Sequence, residues 1–155
     1  MDTIWLFPNP TPAESLRDPA TLCNKLRFTV PYTTPEAARA ALRVAERLAG
    51  DLGAVIDLIS VQVIPMICPL MPDARTAFFK EQLGRVVGES QVPVWPKVIL
   101  TRDLALAFRR LLPLSSPVLI AVPDDPFERW IGREAWWARR FKRAGYEVVL
   151  IPPSS

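Results

Sequence analysis

Two short segments of this 155-residue chain combine residue types and spacing suited to chemistry. The first is Tyr32-Thr33-Thr34, three hydroxyls in a row between the β-prone stretch Leu26-Arg27-Phe28-Thr29-Val30 and Pro35-Glu36. Hydroxyls at the start of a helix can hold an anion, because the first helical N–H groups point toward it. The same hydroxyls serve equally well as helix caps, and Glu36 opposes a negative ligand. The second segment is Pro123-Asp124-Asp125-Pro126, adjacent carboxylates that follow the apolar run Val118 to Val122. Tyr32, Thr33, Thr34 and Asp124 are therefore the candidate ligand-binding residues. They fall at the C-terminal ends of two predicted strands, where open α/β sheets form their ligand crevice.

The rest of the composition narrows the chemistry by exclusion. There is no histidine, which removes the usual general base near neutral pH, the Ser-His and Cys-His pairs and the commonest metal ligand. Catalysis would rest on carboxylates, Lys or Tyr, so the expectation is a protein that is not an enzyme, with no cofactor and no metal. Cys23 and Cys68 lie far apart without CxxC spacing and are expected to be reduced, packing as small apolar side chains. Net charge is only +3, so nothing in it demands a nucleic-acid partner. Met1-Asp2-Thr3 has no basic leader, Ile4-Trp5-Leu6-Phe7 is too short for a signal core, and no stretch approaches the ~18 apolar residues of a membrane span. A soluble, cytoplasmic protein is expected.

The elements that must position these residues follow from periodicity. Residues 1–22, with Pro8, Pro10, Pro12 and Pro19, form an extended arm whose Ile4 to Phe7 either docks or stays loose. Residues 23–155 form a single α/β domain, half of the chain being apolar. A first strand at 26–30 leads into a helix opened by Thr34 and Pro35 and closed by Gly50 and Gly53. Thr33 and Glu36 also have capping-box spacing. Strand two, 54–64, is almost wholly apolar, as for a strand buried on both faces. A helix at 73–87 precedes strand three, 92–100, where Pro93 and Pro96 predict a sheet edge. Asp103 caps a helix over 104–112, strand four is 118–122, a long fourth helix runs from Asp125-Pro126 to Ala144, and strand five is 147–151. The alternation predicts a doubly wound, three-layer parallel sheet.

This order, with Thr34-Pro35-Glu36-Ala37-Ala38 followed by Ala40-Ala41-Leu42, resembles the universal stress protein family. Tyr32, Thr33 and Thr34 stand where that family has Asp-Gly-Ser, and Thr101-Arg102-Asp103 is similar to its Gly-Asp before the third helix. The resemblance implies an adenine nucleotide α-hydrolase-like fold, with five parallel strands in the order 3-2-1-4-5. It also implies dimerisation through the last strand and a role in stress response. Nucleotide-binding members carry G-x2-G-x9-G-[ST] after strand four, whose backbone amides approach the phosphates. Here that place holds Pro123-Asp124-Asp125-Pro126, and Tyr32 replaces the adenosine-contacting Asp. ATP binding in the family's usual manner is not expected, and an α-hydrolase-type enzyme lacks its phosphate loop.

Two surfaces remain. On a continuous fourth helix, Phe127, Trp130, Ile131, Trp137, Ala138 and Phe141 share one face, which should pack on the sheet. Arg129, Arg133, Trp136, Arg140 and Arg143 lie opposite, either as a solvated charged face or as a docking surface for a partner protein; a polyanion is a weaker alternative. Glu134 projects toward the apolar side, at its rim or paired with a basic group. Strand five contains no proline, and its edge at Val148, Val149 and Leu150 invites pairing across a two-fold axis. The sequence thus points to a non-enzymatic, homodimeric stress-protein-like module with a degenerate nucleotide motif. The alternative is a small-ligand or nucleotide-binding protein with an altered pocket at the ends of strands one and four.

Overall fold

The computed structural model of the chain describes residues 3–6, 26–67, 74–88 and 90–153, without the side chains of residues 3–6, 74 and 75. Cys23, Cys68 and residues 7–25 lie outside these, together with the expectations attached to them. The first helix, α1 (Pro35–Leu52), begins as its sequence dictates. Thr34 Oγ1 accepts the Ala37 N–H at 3.2 Å, and Pro35 occupies the first helical position. It ends where Gly53 adopts φ 63°, which lets the Ala54 N–H return to the Ala49 carbonyl at 2.9 Å. Ala38, Ala41, Ala45 and Ala49 are buried along α1, and their small size brings the helix close to the sheet.

Among the described residues six strands form that sheet: β1 (Thr3–Leu6), β2 (Arg27–Pro31), β3 (Val55–Val63), β4 (Val94–Thr101), β5 (Val118–Ala121) and β6 (Val148–Ile151). Their order is β1-β4-β3-β2-β5-β6. From β4 to β6 all neighbours are parallel, so the five predicted strands stand in the order 3-2-1-4-5. Strand alternation sends Phe28, Val30, Ile56, Leu58, Val98 and Leu100 to one face, under α1 and α2 (Ala74–Val87). Ile59, Ile99, Val118 and Ile120 go to the other face, under α3 (Leu104–Leu111) and α5 (Arg133–Arg143). There Phe108 stacks on Phe141 with ring centroids 4.5 Å apart. Tyr146 donates its hydroxyl to the Phe108 and Leu112 carbonyls (2.8 and 2.7 Å), satisfying the end of α3. Among the described residues no helix is long and apolar enough to cross a membrane.

Two expectations are corrected. The strand carrying Pro93 and Pro96 is not the sheet edge, because β1 pairs with it antiparallel, Thr3 opposite Thr101 and Leu6 opposite Val98. Among the described residues the pairing runs from Val98 to Thr101, a stretch without proline. The fourth helix is also not continuous. It breaks at Gly132, whose backbone is extended (φ −66°, ψ 171°), into one-turn α4 (Glu128–Ile131) and α5. The break discards the single helical face that the periodicity predicts. Trp137, Ala138 and Phe141 still pack inward, whereas Phe127, Trp130 and Ile131 are 69, 75 and 62% exposed.

The second face also carries a buried charge cluster that spans three strands. Arg27 on β2 donates twice to Asp57 on β3 (Nε–Oδ2 2.9 Å, Nη2–Oδ1 2.8 Å), and Lys97 Nζ on β4 reaches Asp57 Oδ1 at 2.9 Å. Burial alone would push the Asp57 carboxyl up. The Arg27 hydrogen bonds and the charges of Lys97 and Arg27 together outweigh it and hold the carboxyl below its usual range. A depressed folded-state value contributes stability that is complete above the unfolded value near 4 and is lost as pH falls through the folded one. Asp57→Asn should therefore destabilise the fold by about 3 kcal/mol at neutral pH. Urea melts across pH should show that deficit constant above about pH 4 and shrinking below it, as the wild-type carboxyl protonates.

Candidate functional site

The C-terminal ends of β2 and β5 open onto a cleft of about 670 Å³, bounded by Thr34, Ala37 and Ala40 of the first helical region and by Pro123 and Asp124. Gly132, Arg133 and Glu134 close it from the break between α4 and α5. Its position is the one expected for a ligand crevice in an open α/β sheet. What lines it differs from a phosphate site. Glu36, Asp124, Glu128 and Glu134 supply four carboxylates, and Arg133 is the guanidinium among the lining residues. Arg133 is already engaged, donating from Nη1 to the Thr33 carbonyl at 3.0 Å.

The two threonines have separate tasks. Thr34 caps α1 and lines the cleft. Thr33 is buried, and its Oγ1 donates to Glu134 Oε1 at 3.0 Å. That bond, with the one from Arg133, ties the start of α5 to the β2–α1 connection. Tyr32 does not line the cleft; it packs, half-buried, against the core under α1. Burial and then the Glu36 charge raise its phenol above the usual value, against the lowering effect of Arg39 and Arg133. Of the four candidate ligand residues, the structure places Thr34 and Asp124 on the cleft wall, Thr33 beneath it and Tyr32 outside it.

The connection after β5 explains the acidic character. Pro123 and Pro126 have no N–H to offer, and the Phe127 N–H is taken by Asp125 Oδ1 at 2.8 Å. Gly132 donates its N–H to the Glu128 carbonyl at 2.7 Å. A side chain there is impossible without movement, since a Cβ would sit 2.3 Å from that carbonyl oxygen. The expected arginine–tryptophan surface is divided by the same break. Arg129 turns to the Pro123 carbonyl (Nε–O 2.9 Å) and Arg133 to Thr33, which leaves Trp136, Arg140 and Arg143 together on α5. There the Arg140 guanidinium lies 5.1 Å from the Trp136 ring centroid.

Sequence reasoning missed Arg139, whose Nη1 donates to the Trp130 carbonyl at 3.1 Å, and the pairing of Glu134 with a neutral hydroxyl. The available signal was Gly132, a helix-weakening residue in the middle of an otherwise periodic stretch. A larger open groove of about 1150 Å³ runs between α1 and the end of β6, past Arg43, Arg47, Val149 and Pro152, where no motif pointed. Among the described residues no three potential metal ligands cluster.

No family model matches the sequence, and no curated protein is similar to it at the sequence level. In structure the chain is similar to a universal stress protein crystallised in complex with cAMP. The TM-score is 0.52 and the identity 12%, with 84% of this chain and 98% of that one covered. At this identity the likeness concerns the fold. The chain has a universal-stress-protein-like α/β fold, with five parallel strands in the order 3-2-1-4-5 and helices on both faces.

The division of labour between the threonines is measurable. Thr33→Val leaves the buried Glu134 carboxylate without its donor and should cost about 1.5–3 kcal/mol. Thr34→Ala removes an ordinary cap and should cost about 1 kcal/mol. Urea denaturation ranks the two variants, and the reverse order would mean that the Thr33–Glu134 bond contributes little.

Proposed function

We propose that this chain is a non-enzymatic, universal-stress-protein-like module of the cytoplasm that works as a homodimer and does not bind ATP in the manner of nucleotide-binding members. The connection from Pro123 to Pro126 carries the reading. Where a phosphate loop presents free amides, this chain presents two prolines, two carboxylates and an amide already bonded to Asp125. The absence of histidine and the engagement of Thr33 by Glu134 support a role without catalysis. A second reading, a small-ligand protein with an altered pocket, is favoured by the cleft itself and by the cAMP held by the similar stress protein. Four carboxylates around that cleft suit a neutral or cationic group better than a triphosphate. Mass spectrometry of the purified protein separates the two readings, because a co-purified small molecule supports the second.

The homodimer rests on β6. It pairs with β5 alone among the described strands, and Val149 and Leu150 are exposed. The register also assigns its backbone groups. Val118 donates to the Glu147 carbonyl and Val122 to that of Ile151, so Glu147, Val149 and Ile151 turn their backbone groups toward β5. Val148 and Leu150 turn theirs to the open edge.

Two outcomes are expected. Calorimetry should find no ATP affinity tighter than about 0.1 mM, equivalent to roughly −5.5 kcal/mol; micromolar binding would refute the reading. Leu150→Pro removes an outward amide while sparing the internal ladder, and should shift sedimentation toward monomer with the circular dichroism unchanged. A dimer that survives this change would have its interface elsewhere.

A further inference from the structure

The helix layer on the second face of the sheet concentrates positive charge. Residues 104–117 and 133–147, which build α3, α5 and the turns after them, hold seven of the 19 Lys and Arg and two of the 16 acids. The remainder of the chain is slightly acidic, with twelve bases against fourteen acids. The two helices run side by side: Phe108 stacks on Phe141, and Tyr146 bonds the end of α3 through the Phe108 and Leu112 carbonyls. Their C-terminal turns are therefore neighbours. These turns contain Arg109, Arg110, Arg140, Lys142 and Arg143, all exposed. Two helix C-termini present only about one unit of negative charge between them, which five cations exceed. Among the described residues no ion pair engages any of the five.

The acids of this layer are engaged or turned away. Glu134 is buried on Thr33, and Asp103 caps α3 at its opposite end. Glu147 sits between Tyr146 and Val148, which both pack on this face, so its side chain goes to the other. Around the break at Gly132 the surface is mixed, with exposed Asp124, Asp125 and Glu128 beside exposed Arg129 and Arg133. The basic field is thus confined to the C-terminal turns of α5 and α3. Within it, Arg140 and Arg143 line a furrow of about 160 Å³ with Leu104, Ala105 and Phe108 of α3, and Arg109 follows at its lip. One turn before Arg140, Trp136 is 43% exposed, and the Arg140 guanidinium lies 5.1 Å from its ring centroid.

We propose that this face binds single-stranded nucleic acid, with Arg109, Arg140 and Arg143 holding phosphates and Trp136 stacking on a base. Six of the seven bases in the layer are arginine, whose planar fork meets a phosphate in two hydrogen bonds. An aromatic ring set among arginines suits a strand with open bases, because every base has a face to stack. A duplex hides those faces, and two helices lying side by side in one layer leave none to project into a groove. An anionic membrane calls for a broad apolar surface between the cations. Among the described residues, Trp136 is the one exposed large apolar side chain of α3 and α5. The face lies apart from the acidic cleft, so the proposal depends neither on a ligand there nor on the homodimer.

Fluorescence anisotropy of a labelled oligouridylate of about 12 nucleotides, titrated with the full chain, tests the proposal. Affinity should fall between about 50 and 200 mM salt with a log–log slope of about −2, as release from about three phosphates requires. Arg140→Glu combined with Arg143→Glu should weaken binding about tenfold or more and flatten that slope. Trp136→Ala should weaken it about tenfold with the slope unchanged, the signature of lost stacking. Arg43→Glu combined with Arg47→Glu, exposed on α1, makes the same change in net charge at a distance that salt screens. That control should stay within about twofold of wild type, and circular dichroism checks the fold of every variant. Absence of binding at the lower salt would overturn the proposal, as would equal losses from the two charge reversals or equally tight binding of a duplex of the same length. Binding to phosphatidylserine vesicles without binding to the oligonucleotide would overturn it too, and would assign the face to a membrane surface.

Discussion

At Gly132 the chain passes so close to the Glu128 carbonyl that no side chain fits, and the architecture of the site follows from that contact. A residue with a Cβ would push the two turns apart or force them into one helix. With glycine, the N–H closes α4 and the backbone swings to an extended conformation before α5 begins. The second helix therefore starts on a new phase. Its first turn points Glu134 down onto Thr33 and Arg133 onto the Thr33 carbonyl, so one wall of the cleft is tied to the β2–α1 connection by side chain and backbone. The same rotation turns Trp130 and its neighbours outward. Acidic cleft and apolar edge are two results of one close approach.

The buried cluster around Asp57 acts on the sheet in a comparable way. Three strands contribute one charged residue each, and they meet only in the observed register, Thr29 beside Asp57 and Ile59 beside Lys97. Sliding any of the strands by one residue would send its charge to the opposite face, among alanines and leucines. Such clusters add little net stability compared with an apolar replacement, while removing one member leaves a costly remainder. The cluster defines how the strands align more than how firmly they hold.

Much of this was legible in the chain itself, for reasons that can be named. Thr34-Pro35 is a helix start whose cap and proline act locally, and it appears as expected. The apolar runs at Val55 and Val118 are strands because two covered faces leave no room for alternation. Other features depend on partners remote in sequence. The Asp57 cluster joins positions 27, 57 and 97, and no local pattern announces it. The break at Gly132 was hidden because the apolar spacing on either side fits one continuous helix, and only the close backbone contact disqualifies it. Where the Tyr32 ring goes was equally illegible, because its packing against the core under α1 depends on residues remote in sequence.

The pairing of β1 with β4 has a temporal side. Leu6 lies opposite Val98, more than ninety residues further along. During synthesis at 5–20 residues per second, the first strand would wait roughly 5–20 s for its partner to emerge. The pairs β2–β3 and β3–β4 close over shorter spans of chain, so β1 joins a border of the sheet whose inner neighbours have already paired, a selvage on cloth woven before it. Until it arrives, the outer side of β4 is an unfinished border, and the nascent chain has an interval in which a chaperone or another strand could take that place.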